Sequence, residues 1–105
     1  MGLIFNNMPL LDGYLRLPVT TSRNVLTSDK GYTLIPSNNV VLTFPQNLWK
    51  GMGFYVVTPP GGSITFRSQG TLLNYGTADI IRSSTQNLFC QILQIDINSY
   101  LISGM

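Results

Sequence analysis

The fold is indicated most clearly by residues 88–95, Leu88-Phe89-Cys90-Gln91-Ile92-Leu93-Gln94-Ile95. The run is eight residues long, rich in apolar and β-branched side chains, and contains neither Gly nor Pro. These features are typical of a β-strand. Apolar side chains occupy both of its alternating sets of positions, so both faces of the strand are expected to be covered.

Similar short apolar runs recur along the chain and are separated by Gly, Pro, Asn, Asp and Ser, which tolerate the backbone angles of turns. The segment between residues 58 and 62, Thr-Pro-Pro-Gly-Gly, is the clearest hairpin signal. The pattern predicts an all-β fold, an antiparallel β-sandwich or jelly-roll-like domain. Its predicted strands are 14–17, 32–36, 40–44, 53–57, 63–67, 71–74, 79–82, 88–95 and 99–102.

The length of 105 residues predicts a single domain, within which the first part differs in character. Residues 1–24 are irregular and predict an extended N-terminal arm, whereas residues 25–105 predict the β-sandwich body. The arm could bury Leu3, Ile4, Phe5 and Leu10 against a neighbouring subunit. An alternative is that part of this segment forms a strand that completes the domain's own sheet.

Three predicted strands, 40–44, 53–57 and 88–95, are apolar on both faces. A sandwich explains the burial of only one face of each strand, because each sheet has one inner face. A subunit interface explains the other, so we expect a homo-oligomer, either a dimer or a trimer. The interface residues expected from the pattern are Val41, Tyr55 and Phe89.

Charge is sparse: only 10% of the residues are Asp, Glu, Lys or Arg, against about 25% in typical soluble domains. The six basic residues are scattered singly, which argues against nucleic-acid binding because several phosphates must be neutralised together. No stretch has the length of a membrane span. The first residues, 1–7, lack the basic start and apolar length of a signal peptide.

Catalytic chemistry is not expected, since the chain has no His and no Glu. We therefore predict no enzymatic activity, no cofactor and no metal site. Asp29 lies in a predicted turn, where its side chain would accept hydrogen bonds from backbone donors. Cys90 is the single cysteine and is expected to pack as a small apolar side chain.

Aromatic residues leave a carbohydrate-binding module as an alternative function. Trp49 and the five tyrosines could stack on sugar rings, with neighbouring amides binding hydroxyl groups. The tyrosines are spread one per segment, however, which is expected of tyrosines at the edge of a β-sandwich core. They are Tyr14, Tyr32, Tyr55, Tyr75 and Tyr100.

The order of segments from Val25 to Gly104 resembles a small β domain found in tail fibres, head fibres and capsid-decoration proteins of tailed bacteriophages. The resemblance is carried by a strand entry at 28–35, an Asn-Val-Val-Leu-Thr-Phe-Pro strand at 39–45, a Gly-Phe strand at 53–57, a Gly-Gly-Ser-Ile-Thr-Phe return at 61–66 and a closing strand at 100–104. The sequence departs from the family pattern at Tyr100, where Trp is more common, and after Gly70, where the run is shorter.

The resemblance implies a virion component, usually a homotrimer, that is assembled in the host cytoplasm. A short arm with a compact body favours a capsid-decoration protein, which would bind the major capsid protein or another virion protein and stabilise the head. The alternative is a receptor-binding tip of a tail fibre or spike, which would attach to a glycan on the host surface.

Overall fold

The computed structural model describes residues 15–48, 51–58 and 60–104. In this part of the chain there are ten β-strands and one short 3₁₀ helix, Thr27–Asp29. The strands are β1 (Leu15–Val19), β2 (Arg23–Asn24), β3 (Tyr32–Pro36), β4 (Val40–Phe44), β5 (Gly53–Thr58), β6 (Ser63–Ser68), β7 (Leu72–Leu73), β8 (Ile80–Ser83), β9 (Leu88–Asp96) and β10 (Ser99–Gly104).

The strands form two sheets that pack face to face. The larger sheet has six strands in the order β1-β3-β5-β9-β10-β7, and the smaller has four in the order β2-β4-β6-β8. Along most strands buried and more exposed residues alternate, as in β9 and β6, because one face of each sheet covers the shared core. The prediction of an all-β sandwich is confirmed.

Strand direction differs from the predicted antiparallel arrangement, because both sheets are mixed. Five of the eight strand pairs among the described residues are parallel: β1 with β3, β3 with β5, β10 with β7, β2 with β4, and β4 with β6. Parallel neighbours need a crossover connection. In four of the five pairs the crossover is one strand of the opposite sheet, since successive strands from β1 to β8 alternate between the two sheets. The connection from β7 to β10 runs through β8 and β9.

Because successive strands alternate between the sheets, the predicted turns connect the two sheets and do not close hairpins within one sheet. The Pro- and Gly-rich segment after Thr58 was predicted to close a hairpin, but it connects β5 of the large sheet to β6 of the small sheet. The segment after Pro36 likewise carries the chain from β3 to β4. Turn-forming residues permit a reversal of direction but do not specify whether the next strand pairs with the last one.

The core between the sheets is centred on four aromatic rings. Phe44 of the small sheet lies 4.9 Å from Tyr100 and 6.3 Å from Phe54, both of the large sheet, measured between ring centroids. Phe66 lies 6.1 Å from Phe44 within the small sheet. All four side chains are buried. Aromatic packing of this kind joins the two sheets and fixes which face of each strand points inward.

Residues 15–24 belong to the sandwich, although they were predicted to lie in the arm. Five residues of β1 pair with β3, and Val19 is buried in the core. The short strand β2 pairs with β4. These contacts bury apolar surface and satisfy backbone groups, which an isolated arm would leave exposed. Leu3, Ile4, Phe5 and Leu10, the predicted arm anchors, lie outside the described residues.

A buried ion pair holds the chain between β2 and β3. The Asp29 carboxylate is fully buried and accepts two hydrogen bonds from the Arg23 guanidinium, each 2.9 Å long. It also accepts a 2.8 Å hydrogen bond from the backbone N–H of Leu26. The prediction that Asp29 caps backbone donors in a turn is confirmed. The ion pair with the Arg23 guanidinium was not predicted, because Arg23 is six residues away in sequence.

Candidate functional site

The outer face of the six-stranded sheet carries a row of exposed apolar side chains on its longest strand. In β9 the inward residues Leu88, Cys90 and Ile92 are buried, whereas the alternating outward residues are exposed. Phe89 retains 49% and Leu93 48% of its accessible surface, and Ile95 is also exposed. Exposed apolar residues that recur along a strand form a continuous surface, unlike the isolated ones found on most proteins.

The register of the sheet extends this row across neighbouring strands. Val57 of β5 lies opposite Phe89, and Leu101 of β10 lies opposite Leu93. Ile35 of β3 and Tyr55 of β5 also point outward, because their neighbours Leu34 and Val56 point inward. We call this surface the apolar face. It is formed by Ile35, Tyr55, Val57, Phe89, Leu93, Ile95 and Leu101.

Two rings of the apolar face are stacked. The centroids of the Tyr55 and Phe89 rings are 5.3 Å apart, and their planes differ by 23°. The pair is diagonal across β5 and β9, because Tyr55 lies opposite Gln91 and Phe89 lies opposite Val57. Each ring limits the rotation of the other, so the pair presents an ordered aromatic surface at little further cost in side-chain entropy on binding.

A depression interrupts the apolar face beside the stacked rings. Gly53 lies opposite Leu93 and has no side chain, which leaves a cavity of about 60 Å³ between the two strands. Its lining includes Tyr55, Gln91 and Leu93. An added Cβ at Gly53 would come no closer than 3.8 Å to the carbonyl oxygen of Ile92, an ordinary contact distance. A small side chain at position 53 therefore fits into the depression without a clash.

Charge is excluded from the apolar face. The outward positions of β3, β5, β9 and β10 hold no Asp, Glu, Lys or Arg. The charged residues of this sheet are at its margin: Arg16 is on the edge strand β1, and Asp96 ends β9. A second surface of the same kind can therefore approach without desolvating a charge.

The outer face of the four-stranded sheet is mainly hydroxyl-bearing and charged. Its outward positions include Thr43, Thr65 and Arg67, with Ile81 exposed at 63% on the edge strand β8. The Arg67 Nη2 atom lies 2.8 Å from the Asp79 carboxylate. The hydrogen bond from Arg67 lowers the pKa of Asp79, and the same pairing raises the pKa of Arg67.

The structure brings together two of the three predicted interface residues. Tyr55 and Phe89 form the stacked pair of the apolar face, whereas Val41 is half-buried on the outer face of the other sheet. A single continuous surface cannot therefore contain all three. Leu93, Ile95 and Leu101 were missed, although the alternation in 88–95 places Leu93 and Ile95 on the same side as Phe89.

A second exposed feature is a tight turn that follows β7. Leu73 and Gly76 exchange backbone hydrogen bonds of 2.7 and 3.0 Å around Asn74 and Tyr75, and both central residues have positive φ. Tyr75 is 73% exposed. It was predicted to lie at the edge of the core with the other tyrosines, and that prediction is wrong for this residue. Trp49 and Tyr14 lie outside the described residues.

The described residues contain no cluster of side chains that could hold a metal ion. No three side chains of His, Cys, Asp or Glu come together within residues 15–48, 51–58 and 60–104. Cys90 is buried, and desolvation raises the pKa of its thiol above the ordinary value of 9.0. No helix in the described part of the chain is long and apolar enough to cross a membrane.

The fold and the apolar face define an all-β sandwich with one exposed apolar sheet surface. Comparison of the chain with family models, with curated proteins and with solved structures gave no significant match. The interpretation of this surface therefore depends on its own geometry and chemistry.

Proposed function

We propose that the chain is a structural subunit of a bacteriophage virion, which associates with copies of itself and decorates the outside of the head. The observation that carries the proposal is the apolar face, a sheet surface with exposed aromatic and aliphatic side chains and no charge. The virion setting is supported by the sequence resemblance of residues 25–104 to phage β domains.

The size of the apolar face suits an interface. The face spans four strands, β3, β5, β9 and β10. At the usual strand spacing, and over five to six residues of each strand, they cover roughly 19 by 18 Å, or about 350 Å² of flat footprint. Projecting side chains increase the accessible area beyond this value. The face is therefore of the same order as the ~800 Å² that each partner contributes to a standard protein interface.

The chemistry of the face favours a second copy of the chain as its occupant. Two uncharged faces meet without like-charge repulsion, and removing apolar surface from water contributes roughly 25 cal/mol per Å² before the costs of association. The stacked Tyr55–Phe89 pair is an aromatic centre of the kind that dominates interface energies. A homo-oligomer buries this surface permanently.

Decoration of a capsid requires a second contact with a different protein, the major capsid protein or another virion protein. We assign this contact to the N-terminal residues 1–11, whose apolar residues Leu3, Ile4, Phe5 and Leu10 would anchor the subunit to the shell. The assembled oligomer would then bridge neighbouring capsid subunits and stabilise the head.

The proposal is tested by light scattering of the purified chain, followed by binding of the same sample to undecorated phage heads. We expect an oligomer, dimer or trimer, that co-sediments with the heads. A variant lacking residues 1–11 should keep its oligomeric mass and lose head binding. A wild-type chain that is monomeric and does not bind heads would contradict the proposal, and would direct attention to glycan binding instead.

A further inference from the structure

The turn at Asn74–Tyr75 presents an aromatic ring in an unusual backbone conformation. The φ angles of the two residues are 52° and 67°, which with the reciprocal Leu73–Gly76 hydrogen bonds defines a type I′ turn. Asn is common at the first central position of such a turn, and Gly is favoured at the second. Tyr75 occupies that second position, where a bulky side chain is strained.

The turn is held firmly against the edge of the six-stranded sheet. The Asn74 side chain donates a 3.1 Å hydrogen bond to the carbonyl of Ile102 and accepts a 2.8 Å bond from the N–H of the same residue. The backbone N–H of Asn74 donates to the carbonyl of Tyr100 at 2.9 Å. Three hydrogen bonds to β10 therefore fix the position from which the Tyr75 ring projects.

Strain at an exposed aromatic residue needs an explanation outside the folded subunit. A ring that is 73% exposed gains little from burial in its own chain. Residues kept in strained conformations cluster at contact and ligand sites, where binding compensates for the strain. Tyr is well suited to such a site, because its large ring has few rotatable bonds.

The surroundings of the turn favour a protein contact over a sugar. A sugar site needs polar groups beside the ring, but the Asn74 amide is bound to Ile102, and the Ser68 hydroxyl donates to the carbonyl of Thr77. The strand before the turn also continues the large sheet, and Leu72 is exposed beside Ser99 of β10. An exposed apolar side chain therefore lies beside the turn, on the same sheet as the apolar face.

We infer that Tyr75 of one copy packs its ring over the Gly53 depression on the apolar face of a neighbouring copy. This inference rests on the proposed self-association and assigns its specific anchor. The depression offers stacking against Tyr55, apolar contact with Leu93, and the Gln91 amide as a hydrogen-bonding partner for the phenol. When two apolar faces meet about a two-fold axis, the ring of each copy contacts the depression of the other, so the contact occurs twice in the interface.

The test uses two variants of the full chain that each remove one side of the contact. Tyr75→Gly removes the ring and suits the turn, whereas Gly53→Val fills the depression and leaves Tyr75 in place. Association is measured by analytical ultracentrifugation over a range of concentrations. The control is Ile81→Ala, which truncates an exposed apolar side chain on the other sheet.

We expect each variant to weaken association by roughly thirtyfold or more, as loss of a dominant interface residue does. Tyr75→Gly should also raise the thermal midpoint of the monomer at low concentration by about 4 °C or more, because the strain is relieved. A mixture of the two variants should form a one-to-one complex, since it retains one intact ring and one open depression. Ile81→Ala should associate like the wild type.

The result that overturns the inference is an oligomeric wild-type chain whose association is unchanged by Tyr75→Gly or by Gly53→Val. That outcome leaves the proposed self-association intact and shows that other residues of the apolar face dominate the contact. A wild-type chain that remains monomeric at every concentration overturns the inference together with the proposed self-association, so the two failures are distinguishable.

Discussion

The two outer faces of the sandwich are built on strands of similar length, yet they differ in chemistry. The six-stranded sheet presents Tyr55, Phe89 and Leu93 without a charge among them, whereas the four-stranded sheet presents threonines and the Arg67–Asp79 ion pair. Both faces cover the same core, so core packing cannot account for the contrast. The difference is expected if one face contacts a partner, as we propose, and the other faces water.

The largest expected effect on stability concerns the four-stranded sheet at its β2 edge. Asp29→Ala should lower the free energy of unfolding by about 3–5 kcal/mol, because it leaves the Arg23 guanidinium without its buried partner. The measurement is urea unfolding followed by intrinsic fluorescence. Asp79→Ala is the matched control, since it removes an exposed ion pair from the same sheet and should change the midpoint far less. Equal losses in the two variants would contradict the assignment of Asp29 to the interior.

A second prediction concerns the alternation along β9, which places Cys90 inward between Phe89 and Gln91. The native thiol should react with a thiol reagent at pH 8 roughly a hundredfold or more slowly than the same thiol in the unfolded chain. Burial prevents access, and desolvation raises the pKa of the thiol. Reaction in 6 M guanidinium chloride provides the reference rate. Rapid labelling of the native protein would place Cys90 on the outer face and reverse the orientation of the strand.

The smallest predicted effect concerns the exposed ion pair of the four-stranded sheet. Arg67 lowers the pKa of Asp79 below its ordinary value of 3.8, so the pair contributes stability above that pH. The contribution should be lost as the pH falls through the lowered pKa of the folded state. Asp79→Asn should therefore flatten the decline in thermal midpoint slightly between pH 4 and pH 2. An unchanged acid profile would show that the pair contributes nothing.

Much of the strand pattern was predictable from sequence, since the structure has strands in all nine predicted segments that it describes. Turn residues and short apolar runs are local signals, and 88–95 is the longest of these apolar runs. The additional strand β2 has only two residues, Arg23 and Asn24, and no local pattern distinguishes it. Its pairing with β4 depends on contacts between distant parts of the chain.

Strand direction and the residues of the apolar face were harder to predict from the sequence. Whether the segment after Thr58 closes a hairpin or crosses to the other sheet depends on tertiary packing. For the same reason, the equal apolar character of 40–44 and 88–95 did not reveal that Val41 and Phe89 lie on different sheets. The exposure of Tyr75 was also not predicted, because the turn that projects its ring is held by hydrogen bonds between Asn74 and β10, which are far apart in sequence.

The most direct test of the apolar face as a self-association surface is the solution mass of Leu93→Lys compared with that of Ile81→Lys. Both substitutions place a lysine at an exposed apolar position, one on each outer face, and circular dichroism would confirm that both fold. We predict that Leu93→Lys is monomeric by light scattering, whereas Ile81→Lys keeps the oligomeric mass of the wild type. An oligomer that survives Leu93→Lys, or one that Ile81→Lys dissociates instead, would contradict the account.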